Sequence, residues 1–221
     1  MKLPDDGGIE FIHQLQQHTA KIICDGLFKW GKSSSAFLSI ADDQIIGTNM
    51  VPGRKEDQSA YRGESGGILG SIIAVKLLCD KFHVTAGTVT IGCDCEGAVK
   101  TCENTSNVSC RWKCYDVVSR IQHQIRGTTI KFVFRHISGH QDAAKAYDEL
   151  DKWEKANAQS DTLAKEALRK YVREGSLVID TSIQTGDKWI ITLDKTQITV
   201  LEAAELTRSD TFGPLEEWRW R

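Results

Sequence analysis

The sequence predicts an α/β domain, a five-stranded mixed sheet flanked by helices, followed by a small β-rich C-terminal extension. Three observations predict it. Strand-like and helix-periodic runs follow the order β-β-β-α-β-α-β-α, which implies a mixed sheet covered by helices. Hydrophobic residues make up 40% and charged residues 26%, an ordinary globular composition. A length of 221 residues suits one domain plus an appendage better than two full domains.

The elements follow in order. Residues 1–20 read as a lead-in or linker. HTAKIICDG enters an apolar run and closes on Asp25-Gly26, which predicts a strand ending at a turn. SAFLSI, a polar ADDQ turn and IIGTNMV predict a hairpin. In SAYRGESGGILGSIIAVKLLCDKF, Tyr61, Ile68, Ile72, Val75 and Leu78 fall on one helical stripe. Gly66, Gly67 and Gly70 weaken that helix unless it packs very closely against a neighbour. TVTIGCD predicts the fourth strand and EGAVKTC a brief helix. RWKCYDVVSRIQHQIRG predicts a longer helix closed by Gly127. TTIKFVFRHISGH is the fifth strand, running into a Gly-His loop. LDKWEKANAQSDTLAKEALRKYVRE predicts the last helix, with a break near Asn157. From about residue 173 the pattern changes to three short predicted strands and a polar tail with two tryptophans. The expected organisation is a lead-in at 1–20, a main domain at 21–172 and an extension of unassigned role at 173–221.

Composition narrows the function classes. No apolar run approaches the roughly 20 residues that span a bilayer. The first residues lack the basic and apolar regions of a secretory signal, so an intracellular setting, cytoplasm or nucleus, is expected. Seven cysteines, an odd number, do not read as a disulfide framework. Cys93, Cys95, Cys102, Cys110 and Cys114 crowd one stretch, yet lack the paired C-x2-C knuckles of a structural zinc site. They are expected to be packing thiols. A formal net charge of −2 does not advertise a polyanion binder, so any nucleic-acid binding must use a local basic face and bound cations.

Four acids stand out by position: Asp25, Glu64, Asp94 and Asp161. Taken singly, each has an ordinary reading as a turn, a helix cap or a solvated helix face. Taken together, they sit where a mixed sheet can gather them at one edge, the usual place for a site. Phosphodiester hydrolysis needs an acidified water and stabilised charge on the entering and leaving oxygens. Two divalent ions about 4 Å apart supply both. Magnesium takes oxygen ligands and keeps several waters, so a few carboxylates suffice.

These strings resemble a known family. IICDGLFKWGKSSSAFLSI is similar to the first strand and hairpin of ribonuclease H domains, most closely those attached to retroelement reverse transcriptases. YRGESGGILGSIIAV resembles the family's R-x-E-L helix, VTIGCDCEGAV its third acid, FRHISGHQDA its Gly-His loop, and LDKWEKANAQSDTLAKEAL its Asn-x3-Asp helix. The resemblance covers roughly residues 21–172 and implies a ribonuclease H-like fold. It further implies an endonuclease that cuts the RNA strand of an RNA–DNA hybrid with two Mg2+ ions, Mn2+ being a substitute. Asp25, Glu64, Asp94 and Asp161 would hold the metals, with Asp25 bridging them. His140 matches the loop histidine credited with proton movement or product release, a task suited to imidazole near neutral pH. Asn157, one turn before Asp161, would orient that acid or the substrate. His136, inside a predicted strand, reads as structural. Lys29, Lys32, Arg111, Lys113, Arg120 and Arg126 are candidate phosphate contacts, with Trp112 on a sugar or in the core.

The sequence also departs from the family pattern. Leu27 stands where Ser or Thr is usual, Cys95 follows Asp94 where a polar residue is common, and SGGILG replaces a Leu- and Ala-rich run. None of these is a predicted metal ligand. The resemblance suggests a reverse transcriptase domain in the same polyprotein as a partner. Two other readings stay open: a catalytically inactive ribonuclease H-like binding or assembly module, and an exonuclease or integrase of the same broad fold. All four acids being present favours activity over the first. The Gly-His loop and Asn-x3-Asp helix argue against the second.

Overall fold

The structure is a computed structural model that describes residues 1–41, 44–104 and 114–174 in full, and the backbone of 189–193, 196–198 and 218–220. The central sheet contains β1 (Ala20–Lys29), β2 (Lys32–Ser39), β3 (Ile46–Met50), β4 (Thr88–Cys93) and β5 (Lys131–His136), in spatial order β3-β2-β1-β4-β5. β1, β2 and β3 pair antiparallel, whereas β4 pairs parallel to both β1 and β5. The sheet is mixed, as the element order predicts.

Helices α1 (Ile9–Gln16), α2 (Ala60–Phe82), α3 (Glu96–Glu103), α4 (Tyr115–Arg126) and α5 (Lys152–Glu174) surround it. Strand alternation divides the core. Ile22, Cys24 and Phe37 pack with α1, α2 and α4, while Ile23 and Leu38 pack with Trp153 and Ala156 of α5 on the other face. None of the helices among the described residues is long and apolar enough to cross a membrane.

Three local readings differ from the sequence expectation. First, β1 does not stop at Asp25-Gly26 but runs on to Lys29. It turns at Trp30 (φ 54°) and Gly31 (φ 69°), with Lys29 paired to Lys32, so a two-residue hairpin links β1 and β2. Two successive left-handed residues match the right-handed twist of the strands they join. Second, α5 is continuous through Asn157. Asparagine costs only a few tenths of a kcal/mol inside a helix, and packing of this helix against the sheet outweighs that. Third, the lead-in holds α1, whose Phe11, Ile12 and Leu15 are buried in the main core.

Close packing explains the glycine-rich helix. A Cβ at Gly63 would meet backbone atoms of Leu27 and Ser34 at 3.0–3.2 Å, and one at Gly67 would meet Cys24 Cβ at 3.0 Å. The buried Ser34 hydroxyl donates to the Ala164 carbonyl at 2.9 Å, and the Ser160 hydroxyl to the Ala36 carbonyl at 3.3 Å. These bonds hold α5 against β2. A second, three-stranded sheet has β6 (Trp189–Leu193) between β7 (Thr196–Ile198) and β8 (Trp218–Trp220). The strand expected near residue 178 lies outside the described residues.

Candidate active site

Backbone contacts set the first two acids side by side. A Cβ on Gly26 would lie 2.1 Å from both the Glu64 amide nitrogen and the Gly63 carbonyl carbon. α2 therefore approaches β1 as closely as main chains allow, and Glu64 arrives beside Asp25. The helix begins cleanly there, because the Ser59 hydroxyl accepts from the Arg62 amide as an N-cap. Arg62, fully buried, donates to Asp116 of α4 at 2.7 and 2.9 Å and to the Pro52 carbonyl at 2.8 Å. That bidentate pair anchors the turn carrying Glu64.

Asp94 follows the last residue of β4, and α5 supplies Asp161. Ligand atoms of Glu64, Cys93 and Asp94 all lie within 4.8 Å of one another. Asp25 and Glu64 are only 6% and 8% exposed, whereas Asp94 and Asp161 are half-buried at the open side. Burial, then the charges of Asp94 and Asp161, pushes the Asp25 carboxyl up to about 7. Its Oδ1 accepts from the Gly26 amide at 2.7 Å, which offsets part of that rise. Glu64 is raised well above the ordinary carboxylate range by burial, with Cys93, Asp25 and Asp94 adding to it. Two buried acids that resist ionising, beside two more, form a site in which a divalent cation would supply the opposite charge that lets them ionise. Their oxygen donors suit Mg2+ or Mn2+.

The loop after β5 closes one side. A Cβ on Gly139 would fall 2.5 Å from Asp94 Oδ2, so the loop backbone rests against that carboxylate. His140 follows it, exposed and left-handed at φ 54°. His136 ends β5, and its Nε2 is 3.1 Å from the Asp94 carbonyl oxygen. It is exposed and tied to the loop of the third acid, not enclosed within its strand. On α5, Asp161 pairs with Lys165. Asn157 is buried, and its Oδ1 has no hydrogen-bond partner among the described residues.

The structure thus brings Asp25, Glu64, Asp94 and Asp161 together at one side of the sheet, with Gly139 and His140 at the rim. Lys29 and Lys32 flank the tip of the β1–β2 hairpin, where Trp30 is 59% exposed. Arg120 and Arg126 lie on α4, and Arg126 donates to Gln122. Arg111, Trp112 and Lys113 lie outside the described residues. Sequence reasoning missed Cys93, whose thiol donates to Glu64 Oε2 at 3.5 Å. The sequence shows only a cysteine directly before a candidate acid, a spacing that a packing thiol shares.

No protein-family model and no curated protein matches the sequence. Among solved structures, LC11-RNase H1 in complex with an RNA/DNA hybrid is similar over 69% of this chain and 99% of its own, at 15% identity and a TM-score of 0.53. LC11-RNase H1 isolated from compost matches over 69% of this chain and 97% of its own, at 15% identity and a TM-score of 0.50. RNase H1 from the halophilic archaeon Halobacterium salinarum NRC-1 covers 68% of this chain and 98% of its own, at 12% identity and a TM-score of 0.47. The five-stranded mixed sheet with flanking helices in this chain is a ribonuclease H-like fold.

Proposed function

We propose that the protein is an endonuclease that hydrolyses the RNA strand of RNA–DNA hybrids. One observation carries the reading: four carboxylates from three elements and a strand end converge on a half-open site, two of them so enclosed that they resist ionising. The fold, shared with LC11-RNase H1, supports it. So does the agreement of five sequence strings, in order, with the ribonuclease H pattern.

Asp25, Glu64, Asp94 and Asp161 would hold two Mg2+ ions, which when bound acidify the attacking water and neutralise charge on the scissile phosphate. Asp25, which feels the charges of both Asp94 and Asp161, would be the ligand shared between the ions. Glu64 is fixed by its helix packing, so it enters the site at little conformational cost. His140, exposed at the rim, can pass a proton between the site and bulk water. The Asn157 Oδ1, without a hydrogen-bond partner among the described residues, would offer a further polar contact one helical turn before Asp161. Sugar 2′-hydroxyls distinguish the RNA strand, and contacts confined to sugar and phosphate leave the cutting largely independent of sequence. The likeness of the sequence strings to reverse-transcriptase-associated domains favours a role in a retroelement reverse-transcription system, beside a polymerase domain.

The test is a substrate panel. With Mg2+ present, an end-labelled hybrid should be cut in its RNA strand, and matched RNA duplex, DNA duplex and single strands should not. Asp94→Asn should lose at least about 100-fold in rate, the order expected when a group stabilising transition-state charge is removed. Binding of all the duplexes without cutting would replace this reading with that of an inactive binding module.

A further inference from the structure

Four of the cysteines, Cys24, Cys93, Cys95 and Cys102, lie close behind the carboxylates. Cys93 is fully buried at the end of β4, and its register partner across β1 is Cys24, also fully buried. Cys95, half-buried, is the N-cap residue before α3, and Cys102 lies on that helix. Among these thiols Cys93 alone directly contacts an acid of the site.

We propose that Glu64, Cys93 and Asp94 form a binding site for a thiophilic divalent cation, zinc in the first instance, and that filling it switches off the magnesium-dependent reaction. The dimensions fit. With Zn–S of about 2.3 Å and Zn–O of about 2.0 Å, the sulfur and oxygen of a tetrahedral site are about 3.5 Å apart. Cys93 Sγ and Glu64 Oε2 are separated by 3.5 Å. Asp94 supplies the third donor within the same 4.8 Å envelope and is the member open to solvent, leaving a fourth position for water. The Cys95 amide already points at Cys93 Sγ from 3.4 Å, an outer contact of the kind that supports a ligating thiolate. Magnesium avoids sulfur, so the thiol discriminates between the two classes of ion. When zinc binds, the Cys93 proton, and any proton held by the Glu64 carboxyl, leaves to solvent.

Zinc binding rests on these three side chains alone. Inhibition rests on the nuclease reading, because zinc would occupy Glu64 and Asp94, two of the four acids. The test titrates metal-free full-length protein with Co2+, following the thiolate-to-cobalt charge-transfer band in the near ultraviolet, and then competes with Zn2+. One band should appear and be bleached by zinc. Cys93→Ser should weaken cobalt binding about 100-fold or more, beyond what loss of an outer contact costs. Cys79→Ser, remote on α2, should leave the titration unchanged. No band, or an undiminished band in Cys93→Ser, overturns the site. Should that variant not fold, Asp94→Asn must weaken the titration by at least about tenfold, and an unchanged affinity overturns the site equally. In the hybrid-cutting assay, zinc should inhibit wild type at fixed magnesium. A band with no cutting to inhibit supports the site and refutes the nuclease, whereas cutting that persists with zinc bound refutes the inhibition.

Discussion

Asp25 is expensive to the fold until something positive sits beside it. Its carboxyl is pushed up to about 7, mainly by burial and then by Asp94 and Asp161. A carboxyl raised above its ordinary value binds its proton more tightly in the folded state. The stability it contributes is full below about pH 4 and is lost as pH rises through about 7. Asp25→Asn removes that loss. In chelator at pH 8 the variant should melt on the order of 5 °C above wild type, and the gap should shrink as pH falls and close below about pH 4. Added Mg2+ should raise the wild-type midpoint and leave the variant nearly unmoved. His140→Ala, at the exposed rim, should lower turnover about 100-fold with hybrid affinity within about twofold, the split expected of a group that moves protons but does not bind substrate. At the residue scale the four acids stood out in sequence as carboxylates in or beside apolar runs, although Asp25 lies within β1 and Asp161 within α5 instead of at element ends. Cys93 did not, because a thiol next to an acid has the same spacing whether it packs or ligates.

At the scale of elements, the site depends on how closely α2 meets β1. Gly26→Ala would drive a Cβ into the Glu64 main chain at 2.1 Å, where only backbone can yield. It should destabilise the fold by about 3 kcal/mol or more and disable cutting, and urea unfolding beside the cleavage assay checks both. The Arg62–Asp116 pair makes a separate demand, because Asp116→Ala leaves a buried guanidinium without its partner. That should cost about 3–5 kcal/mol in the same unfolding measurement. Helix α2 was readable from its stripe, and its glycines foretold close packing. The β1–β2 hairpin came only with the family resemblance, and its turn was not readable from the local residues, because Trp30-Gly31 is not one of the common turn pairs. The continuity of α5 was hidden for a different reason: tertiary contacts outweigh the weak helix propensity of Asn157.

For the whole molecule, strand and helix order was enough to foretell a mixed sheet with helices on both faces. The integration of α1 into the core was not legible, because one short amphipathic turn sequence carries too little signal alone. A net charge of −2 leaves little general attraction for a duplex. Hybrid binding should therefore lean on the cations, and affinity should fall only about tenfold between about 50 and 200 mM salt, the slope of about two phosphate contacts. A fall of about a thousandfold would reveal an extended basic surface instead. The most direct test of the central claim is the chemistry of the cut ends in a magnesium-dependent digest of an RNA–DNA hybrid. Water attack with the 3′ oxygen leaving predicts RNA fragments bearing 5′-phosphate and 3′-hydroxyl ends, with none formed by Asp25→Asn. Cyclic phosphate ends, cutting that survives in Asp25→Asn, or no cutting by folded wild-type protein would contradict it.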